Sequence, residues 1–401
     1  VKLVDDPTNL SALNGANYQT LLRWKGSATE GVTYNIYRSE TPYFTPAPSN
    51  LIASGIEETS WSDYNLNYGK TFYYQVTAVK QMGGHDRESL PSNQAWATVV
   101  DENEVQKRLG LQDYWSYMGF KTGSGDGYIN VSNGNVSYIS TDMMVSDPFF
   151  AMVMRRTYNS MATTKTPLGY GWDFSFNTAL LREYSSENIE TGMILKDGDG
   201  SFHRFKKNSS GGYDSAKGTF MKLVYDETAD EYTITRKDNI VYHFDAQSMK
   251  LKSFTNPNGN ALTFEYDERG NLSAVENTVG ERIEISYNVS GANPTDEDYL
   301  YVNEHVDMVD TVTWKEDART KDSAEIVYHY VYGEDDKLDR AYMVIENNNE
   351  YGESFSYNDD GELFEITNPE GKKYILSYTN SKVTKIEDPI DTFNFNYNSD
   401  I

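Results

Sequence analysis

A repeat of roughly 20 residues constrains the fold of this chain more than any other sequence feature. Residues 263–288 alternate apolar and polar positions in three short runs, which predicts three strands joined by turns. The pattern returns over residues 354–389, where the turn sequence YNDDG (357–361) matches YDERG (266–270). Repeated units of this kind complete their core by stacking on their neighbours. We therefore expect a long antiparallel sheet that adds strands along the chain and must curl, close or cap its edges.

Composition and charge exclude several classes of function. The net charge is −26, with 35 basic and 61 acidic residues, so a nucleic acid or an anionic membrane is not expected as a partner. Cysteine is absent, which removes disulfides as a source of stability. No apolar run approaches about 18 residues, so we expect no membrane span. The sequence starts at Val1 without a signal peptide and stops at Ile401 in mid-pattern, and we interpret it as a fragment of a longer protein.

Residues 1–101 predict a β-sandwich, because several short alternating strands follow one another at regular spacing. Trp24, the run YNIYR (34–38), the aromatic run that starts at Tyr68 and the run SLPS (89–92) together resemble a fibronectin type III domain. The resemblance implies a spacer. It leaves binding of a glycan or of a protein partner open, since a fold does not determine a function.

Residues 128–401 carry two further motifs in a fixed order. The run RTYNS (156–160) precedes GYGW (169–172), and the Tyr-(Asp/Asn)-x-x-Gly turn recurs after them. Together they resemble the Rhs/YD-repeat family, which includes bacterial polymorphic toxins, wall-associated proteins, toxin-complex C subunits and teneurins. The resemblance implies a β-shell, of which residues 128–401 would form the truncated N-terminal part.

The motif residues are expected to be structural rather than catalytic. We expect Arg156 to bond carbonyls or carboxylates and Trp172 to pack in the wall, while the glycines permit a sharp turn. The motif residues are Arg156, Tyr158, Asn159, Gly169, Gly171, Trp172, Tyr266, Asp267, Gly270, Tyr357 and Gly361.

Residues 102–127 are predicted to be a linker followed by an aromatic plug peptide. Residues 101–108 are polar and favour a helix or a linker, and residues 119–127 are rich in glycine and indicate a flexible loop. Between them, LGLQDYWSY (109–117) resembles the peptide that precedes the repeats in Gram-positive wall-associated relatives. We expect it to cover the exposed end of the sheet.

Motifs for catalysis or metal binding are weak. The run DGDG (197–200) lacks the further ligands of a calcium loop and predicts a hairpin turn. The histidines are scattered, and neither a nucleophile elbow nor a phosphate loop is present. A glycosidase would need two convergent carboxylates, which an acidic chain leaves possible. The self-cleavage motif that the family implies has no match here, so no catalytic residue and no cofactor or metal is expected.

The sequence thus predicts an all-β protein, in which a fibronectin type III sandwich leads into a long, curled antiparallel YD-repeat sheet. The resemblance implies a non-catalytic section of a secreted or cell-surface bacterial protein. Its shell would enclose the protein's own C-terminal cargo, such as a toxin for competition between bacteria. The alternative is a surface adhesin or carbohydrate-binding module with a cell-surface partner or a glycan as its ligand.

Overall fold

A computed structural model describes twelve segments of the chain. Tyr68, at which the predicted aromatic run starts, and the acidic stretch of residues 293–299 lie outside the described residues. The described segments are residues 3–14, 19–41, 43–66, 70–99, 102–147, 149–184, 190–267, 270–288, 308–315, 325–333, 335–345 and 349–397.

The described residues before 100 form two packed antiparallel sheets, as the sequence predicts. Asp63 joins the sheets, because its carboxylate accepts hydrogen bonds from Arg38 (2.8 Å) and from the Tyr74 hydroxyl (2.9 Å), which both belong to the opposite sheet. The first sheet contains β1 (Thr8–Asn14), β2 (Thr20–Lys25) and β5 (Ser60–Asp63); the second contains β3 (Thr33–Ser39), β4 (Leu51–Ile56), β6 (Thr71–Met82), β7 (His85–Glu88) and β8 (Ala95–Thr98).

A short helix and a small sheet follow the sandwich. The sheet has the strand order β9-β10-β11-β12-β15, and β13 and β14 pair beside it. The elements of this part are α1 (Glu102–Val105), β9 (Tyr117–Lys121), β10 (Gly125–Asn130), β11 (Val136–Val145), β12 (Met152–Asn159), β13 (Lys165–Thr166), β14 (Gly169–Tyr170) and β15 (Trp172–Phe174).

The flexible loop predicted for residues 119–127 is wrong, because residues 119–121 and 125–127 belong to the paired strands β9 and β10, and residues 122–124 form the turn between them. Two of their glycines, Gly125 and Gly127, make room for the rings of Tyr138 and Phe120. A Cβ atom on Gly127 would lie 2.0 Å from the ring of Phe120. The boundary that the sequence suggested between residues 127 and 128 therefore falls inside β10.

The remaining described strands run in sequence order through two sheets. The first is β16 (Ala179–Tyr184), β17 (Glu190–Lys196), β18 (Phe202–Lys207) and β19 (Tyr213–Ser215). Among the described residues, the second is a single antiparallel sheet of fifteen strands, which confirms the predicted long sheet. Its strands are β20 (Lys222–Asp226), β21 (Glu231–Thr235), β22 (Val241–Asp245), β23 (Leu251–Thr255), β24 (Ala261–Tyr266), β25 (Leu272–Asn277), β26 (Arg282–Tyr287), β27 (Val309–Lys315), β28 (Glu325–Tyr332), β29 (Leu338–Ile345), β30 (Asn349–Tyr357), β31 (Leu363–Thr367), β32 (Lys373–Thr379), β33 (Lys382–Glu387) and β34 (Thr392–Asn394).

One hydrogen-bonding scheme explains the Asx-x-x-Gly turns of the repeat. In the turn after β30, the Asn358 backbone N–H donates to the Glu362 carbonyl (3.0 Å) and the Gly361 N–H donates to the Asn358 carbonyl (2.9 Å). The Asn358 side-chain oxygen accepts the Glu362 N–H (2.8 Å). The glycine has a φ of 81°, as the last residue of a three-residue hairpin loop requires. The same bonds close the turns that begin at Asn256, Asp267, Asn277 and Asn368.

A continuous apolar core joins the sheets that follow the sandwich. It extends from Ile129 in the small sheet, through Phe205 in the four-stranded sheet, to Ile386 in the long sheet. Alternate residues of the long sheet point into this core, as in β24, where Leu262 and Phe264 are buried. The small sheet therefore lies against the apolar face of the long sheet.

We predict that Gly371→Ala lowers the free energy of unfolding by about 1–2 kcal/mol, because an alanine would occupy the left-handed region at φ 78°. Apart from the adjoining residues, no atom of the described segments lies within 4 Å of the added Cβ, so the cost comes from the backbone alone. Urea unfolding of both proteins measures the difference.

Gly119→Ala is the matched control. Its Cβ would lie 3.7 Å from the Gly127 carbonyl, in ordinary contact and without a left-handed backbone. We expect no loss of stability from this change. Equal unfolding free energies for the two variants would contradict the explanation of the repeat glycine.

Candidate functional site: an arginine buried between two sheets

Arg156, on β12, is fully buried and holds a carboxylate from each of two sheets. Its Nε donates to both oxygens of Asp142 on β11, at 2.8 and 2.7 Å. One of its terminal nitrogens donates to Glu353 Oε2 on β30, at 2.8 Å. Glu353 lies 197 positions further along the chain, so this one side chain ties the small sheet to the long sheet.

Hydroxyl groups donate further hydrogen bonds to both carboxylates of this buried site. Tyr330 donates to Asp142 Oδ2 (2.7 Å), and Ser124 donates to Glu353 Oε1 (2.6 Å). Tyr138 also donates to Glu353. Such donors are needed because one guanidinium faces two buried carboxylates.

The pKa values follow from burial and charge. Burial raises the pKa of Asp142, although Arg156 and the Tyr330 hydroxyl act against this rise. Burial by itself would lower the pKa of Arg156, but the carboxylates of Asp142 and Glu353 outweigh it and hold that pKa well above its ordinary value. The arginine is therefore a permanent buried cation.

Aromatic rings surround the rest of the guanidinium. Its carbon lies 5.5 Å from the centre of the Trp172 ring and 5.4 Å from that of Phe355. Tyr328 lies at 6.0 Å. One terminal nitrogen of Arg156 has no hydrogen-bond partner among the described residues, and the ring faces supply the favourable contacts that are available to it.

Trp172 and Tyr158 make a second set of bonds between the same two sheets. Trp172 is fully buried, and its Nε1 donates to the Tyr357 hydroxyl (2.8 Å). The Tyr158 hydroxyl accepts the Leu363 backbone N–H (2.8 Å). Gly171 makes this packing possible, because a Cβ there would lie 2.6 Å from the Tyr158 ring.

Gly169, on β14, allows the loop between β28 and β29 to approach the paired strands β13 and β14 closely. Its φ is 90°, and an added Cβ would lie 2.2 Å from the Asp336 carbonyl oxygen. The next residue, Tyr170, donates its backbone N–H to that oxygen (3.1 Å). A larger side chain at Gly169 would therefore push the two segments apart.

Asn159 connects the plug peptide to the small sheet. Its Oδ1 accepts the Gly110 backbone N–H (2.8 Å) and bonds from Asn135 (3.0 Å) and Ser137 (2.9 Å). Its Nδ2 donates to the Asp199 carbonyl (2.8 Å) in the turn between β17 and β18. The peptide thus lies where the small sheet meets the four-stranded sheet.

Residues 102–108, predicted to be a helix or a linker, begin with helix α1 and bind firmly to the small-sheet region. Glu104 is buried and accepts the backbone N–H groups of Thr163 (2.6 Å) and Thr164 (3.1 Å). Lys107 donates to the Met161 carbonyl (3.1 Å). Glu104 and Lys107 therefore attach this segment to residues 161–164.

The tyrosine of the repeat has a structural role in the long sheet. The Tyr357 hydroxyl, at the end of β30, donates to the Leu338 carbonyl (2.6 Å) at the start of β29. Tyr266 donates to the Leu251 carbonyl (2.9 Å) in the same way. Equivalent bonds join Tyr287 to Leu272 and Tyr378 to Leu363. Each of these tyrosines is thus partly buried and ties two neighbouring strands through its hydroxyl.

A lysine completes two of these repeats. The Lys250 ammonium lies 4.7 Å from the centre of the Tyr266 ring, and the Lys337 ammonium lies 5.4 Å from that of Tyr357. Both ammonium groups also lie beside the turn glycines, Gly270 and Gly361, where a Cβ would be 2.8 Å away. The turn glycine therefore leaves room for the cation over the ring.

The structure brings most motif residues together and leaves three apart. Arg156, Tyr158, Trp172 and Tyr357 meet between the two sheets. Tyr266 ends β24, and Asp267 and Gly270 lie in the turn that joins β24 to β25.

Sequence reasoning missed the partners of Arg156. Glu353 carried a usable signal, because it shares the buried face of β30 with Phe355. No sequence pattern indicated that Asp142 is buried, because it lies at an irregularity in the pairing of β11 with β12.

The other candidate sites have structural surroundings. Residues 197–200 form the turn between β17 and β18, with the Gly200 N–H donating to the Asp197 carbonyl (3.0 Å). His203, His243 and His329 lie on three different strands. Within the described residues, no group of three or more His, Cys, Asp or Glu could hold a metal ion. No helix in the described segments has the length and apolarity to cross a membrane.

Two family models match this chain. One is a domain of unknown function, DUF6531, over residues 126–205, and the other is the RHS Repeat, over residues 244–282. The first match contains Arg156 and Trp172, and the second contains the turn that follows Tyr266. Both motifs of the sequence analysis therefore lie within matched regions.

Similar curated proteins come from Bacillus. The chain is 26% identical over 214 residues to the tRNA3(Ser)-specific nuclease WapA of Bacillus spizizenii and 25% identical to the tRNA nuclease WapA of Bacillus subtilis strain 168. The alignment covers 53% of this chain but 8% of each relative. The chain thus corresponds to a small part of those proteins.

Solved structures give weaker likenesses. An Fn3-like protein from Clostridium thermocellum is 30% identical over 23% of this chain and 91% of that protein, with a TM-score of 0.20. The TcdB2-TccC3 structure is 10% identical over 95% of this chain and 21% of that chain, with a TM-score of 0.21. TM-scores this low carry no weight for the fold.

We predict that Arg156→Met lowers the free energy of unfolding by about 3–5 kcal/mol, because it leaves two carboxylates buried without their cation. The triple variant D142N/R156M/E353Q should recover part of that loss, since it removes the uncompensated charges. Urea unfolding of the three proteins measures both effects.

Arg340→Met is the control, because Arg340 and Glu350 form an ion pair at the surface, with side chains 43% and 47% exposed. Its loss should cost less than about 1 kcal/mol. If R156M and R340M were equally stable, Arg156 would not be the joint between the sheets.

Proposed function

Because the chain belongs to the Rhs/YD-repeat family, we propose that residues 102–397 form the first part of a wall that encloses a cargo segment of a longer protein. One observation carries this proposal. In the described residues, the fifteen strands of the long sheet pair in strict sequence order. Each further repeat in such a sheet extends the wall by one more hairpin, and closure removes the exposed edges.

The small sheet, β9 to β12 with β15, closes the beginning of this wall. It covers the apolar face of the long sheet near β28 to β31, where Arg156, Trp172 and Tyr158 make their bonds. An uncovered face of this size would expose apolar residues to water. The sandwich of residues 1–101 then acts as a spacer outside the wall.

The section itself is proposed to be non-catalytic. The curated relatives are named as tRNA nucleases, but this chain matches 8% of their length. We therefore assign a toxin activity to the enclosed C-terminal segment and the container role to the residues described here. A secreted or cell-surface bacterial protein fits this role, with its own cargo as the partner.

The test uses the longer natural protein that contains this chain, treated with a broad-specificity protease, with fragments identified by mass spectrometry. We expect the segment after the repeats to resist cleavage in the unaltered protein and in the control R340M. It should be cleaved at least about tenfold faster in R156M, because about 3 kcal/mol of lost stability raises the open population by more than that factor.

Electron microscopy of the unaltered protein provides an independent measurement. A closed shell with density inside it would support the container. An open, empty sheet, or rapid cleavage of the C-terminal segment in the unaltered protein, would overturn the proposal.

A further inference from the structure

A cavity of 180 Å³ lies between the sandwich and the sheets that follow it. Leu10 and Ala95 contribute to its lining from β1 and β8 of the sandwich. On the other side, Lys250 directly precedes β23 and Tyr266 ends β24. Neither carboxylate that binds Arg156 lines this cavity, so it is separate from the site described above.

The amine of Lys250 has a fixed position at this cavity. Its backbone carbonyl accepts the Asp245 N–H (2.9 Å), and an isolated bridge pairs it with Ala179. The side chain is half-buried, and its amine lies 4.7 Å from the centre of the Tyr266 ring. The amine also lies beside Gly270, where a Cβ would be 2.8 Å away. Both of these neighbours line the cavity, so the amine is accessible to a ligand within it.

Within the described segments, no carboxylate lies at ion-pair distance from the Lys250 amine. The two carboxylates whose charge acts on it bond within their own turns. Asp267 accepts the Asn271 backbone N–H (2.8 Å), and Asp245 accepts the Ser248 hydroxyl (2.7 Å). Burial lowers the pKa of Lys250, although Asp267 and Asp245 act against this change. Removal from water disfavours the charged amine, so the neutral, nucleophilic form is more abundant here than on an exposed lysine.

Lys337 occupies the equivalent place in a later repeat and provides an internal comparison. Its ammonium also lies over a tyrosine ring, that of Tyr357, and beside a turn glycine, Gly361. Unlike Lys250, it forms an ion pair with Asp335 and lies outside the cavity lining. The ion pair favours the charged amine, which has no lone pair available for attack. The two lysines thus share a position in the repeat and differ in the features that make an amine reactive.

The rest of the lining determines which ligand can reach the amine. The volume is below that of drug-sized sites, about 300–1,000 Å³, which limits the ligand to a few carbon atoms. Much of the lining is aliphatic and would pack against an alkyl chain. The aliphatic lining residues are Leu10, Ala12, Ala95, Ala179, Leu180, Leu181 and Met249. A small, uncharged electrophile with an alkyl chain therefore fits this cavity.

We propose that Lys250 is a modification site for small apolar aldehydes, which it binds as an imine. The lone pair of the neutral amine attacks the carbonyl carbon, and a C=N bond replaces the C=O bond. The carbonyl oxygen leaves with both protons of the amine as one molecule of water, so the step needs neither an oxidant nor a reductant. The adduct would lie between the sandwich and the following sheets. This site does not depend on the container role.

The test incubates the 401-residue chain with butanal at neutral pH, traps imines with sodium cyanoborohydride and measures the label on each lysine by peptide mass spectrometry. We expect Lys250 to carry at least about fivefold more label than Lys337, because Lys337 must first lose its ion pair. In concentrated urea, which unfolds the chain and removes the cavity, the two lysines should be labelled to a similar extent.

Two variants complete the test. Lys250→Arg keeps a cation at this position but removes the amine, so the label on this site should disappear while the other lysines keep theirs. Asp335→Asn removes the partner of Lys337 at an exposed carboxylate, so the label on Lys337 should rise. The proposal is overturned if Lys250 carries no more label than Lys337 in the folded chain, or if the difference between them persists in urea.

Discussion

The buried charge of Arg156 is the interaction on which the rest of the structure depends. A guanidinium removed from water costs several kcal/mol unless carboxylates and other donors surround it in good geometry. Here those carboxylates come from β11 and from β30, so the cation is satisfied only when the small sheet has docked on the long sheet. The charge therefore couples two parts of the chain that the local turns leave independent.

The repeat residues, in contrast, make local bonds, within one turn or between neighbouring strands. The asparagine or aspartate closes its own turn, the glycine supplies the left-handed residue, and the tyrosine hydroxyl ties its strand to the preceding one. The bonds that close each hairpin are therefore local, as a repeat that is copied along a chain requires. Distant contacts such as that of Trp172 with Tyr357 then position the whole sheet.

Sequence patterns predicted the strands and turns that short-range contacts determine. Strands β24, β25 and β26 were expected from alternation, and the turn between β24 and β25 from its glycine. Strand β29 was missed, because its apolar residues do not alternate and Val344 and Ile345 are both exposed. The alternation in β30 indicates that Glu353 is buried, but one sequence does not reveal which distant carboxylates pair with Arg156. The hairpin formed by β9 and β10 was mistaken for a loop, because the glycines that accommodate aromatic rings look like those of flexible segments.

Hydrogen exchange followed by mass spectrometry tests the coupling most directly, because it reports protection strand by strand. In Arg156→Met, we predict that β12 and β30 lose protection together and to a similar extent, while β3 and β6 of the sandwich keep theirs. A loss confined to β12, with β30 as protected as in the unaltered chain, would show that the two sheets are stable independently. That result would contradict the central role of the buried arginine.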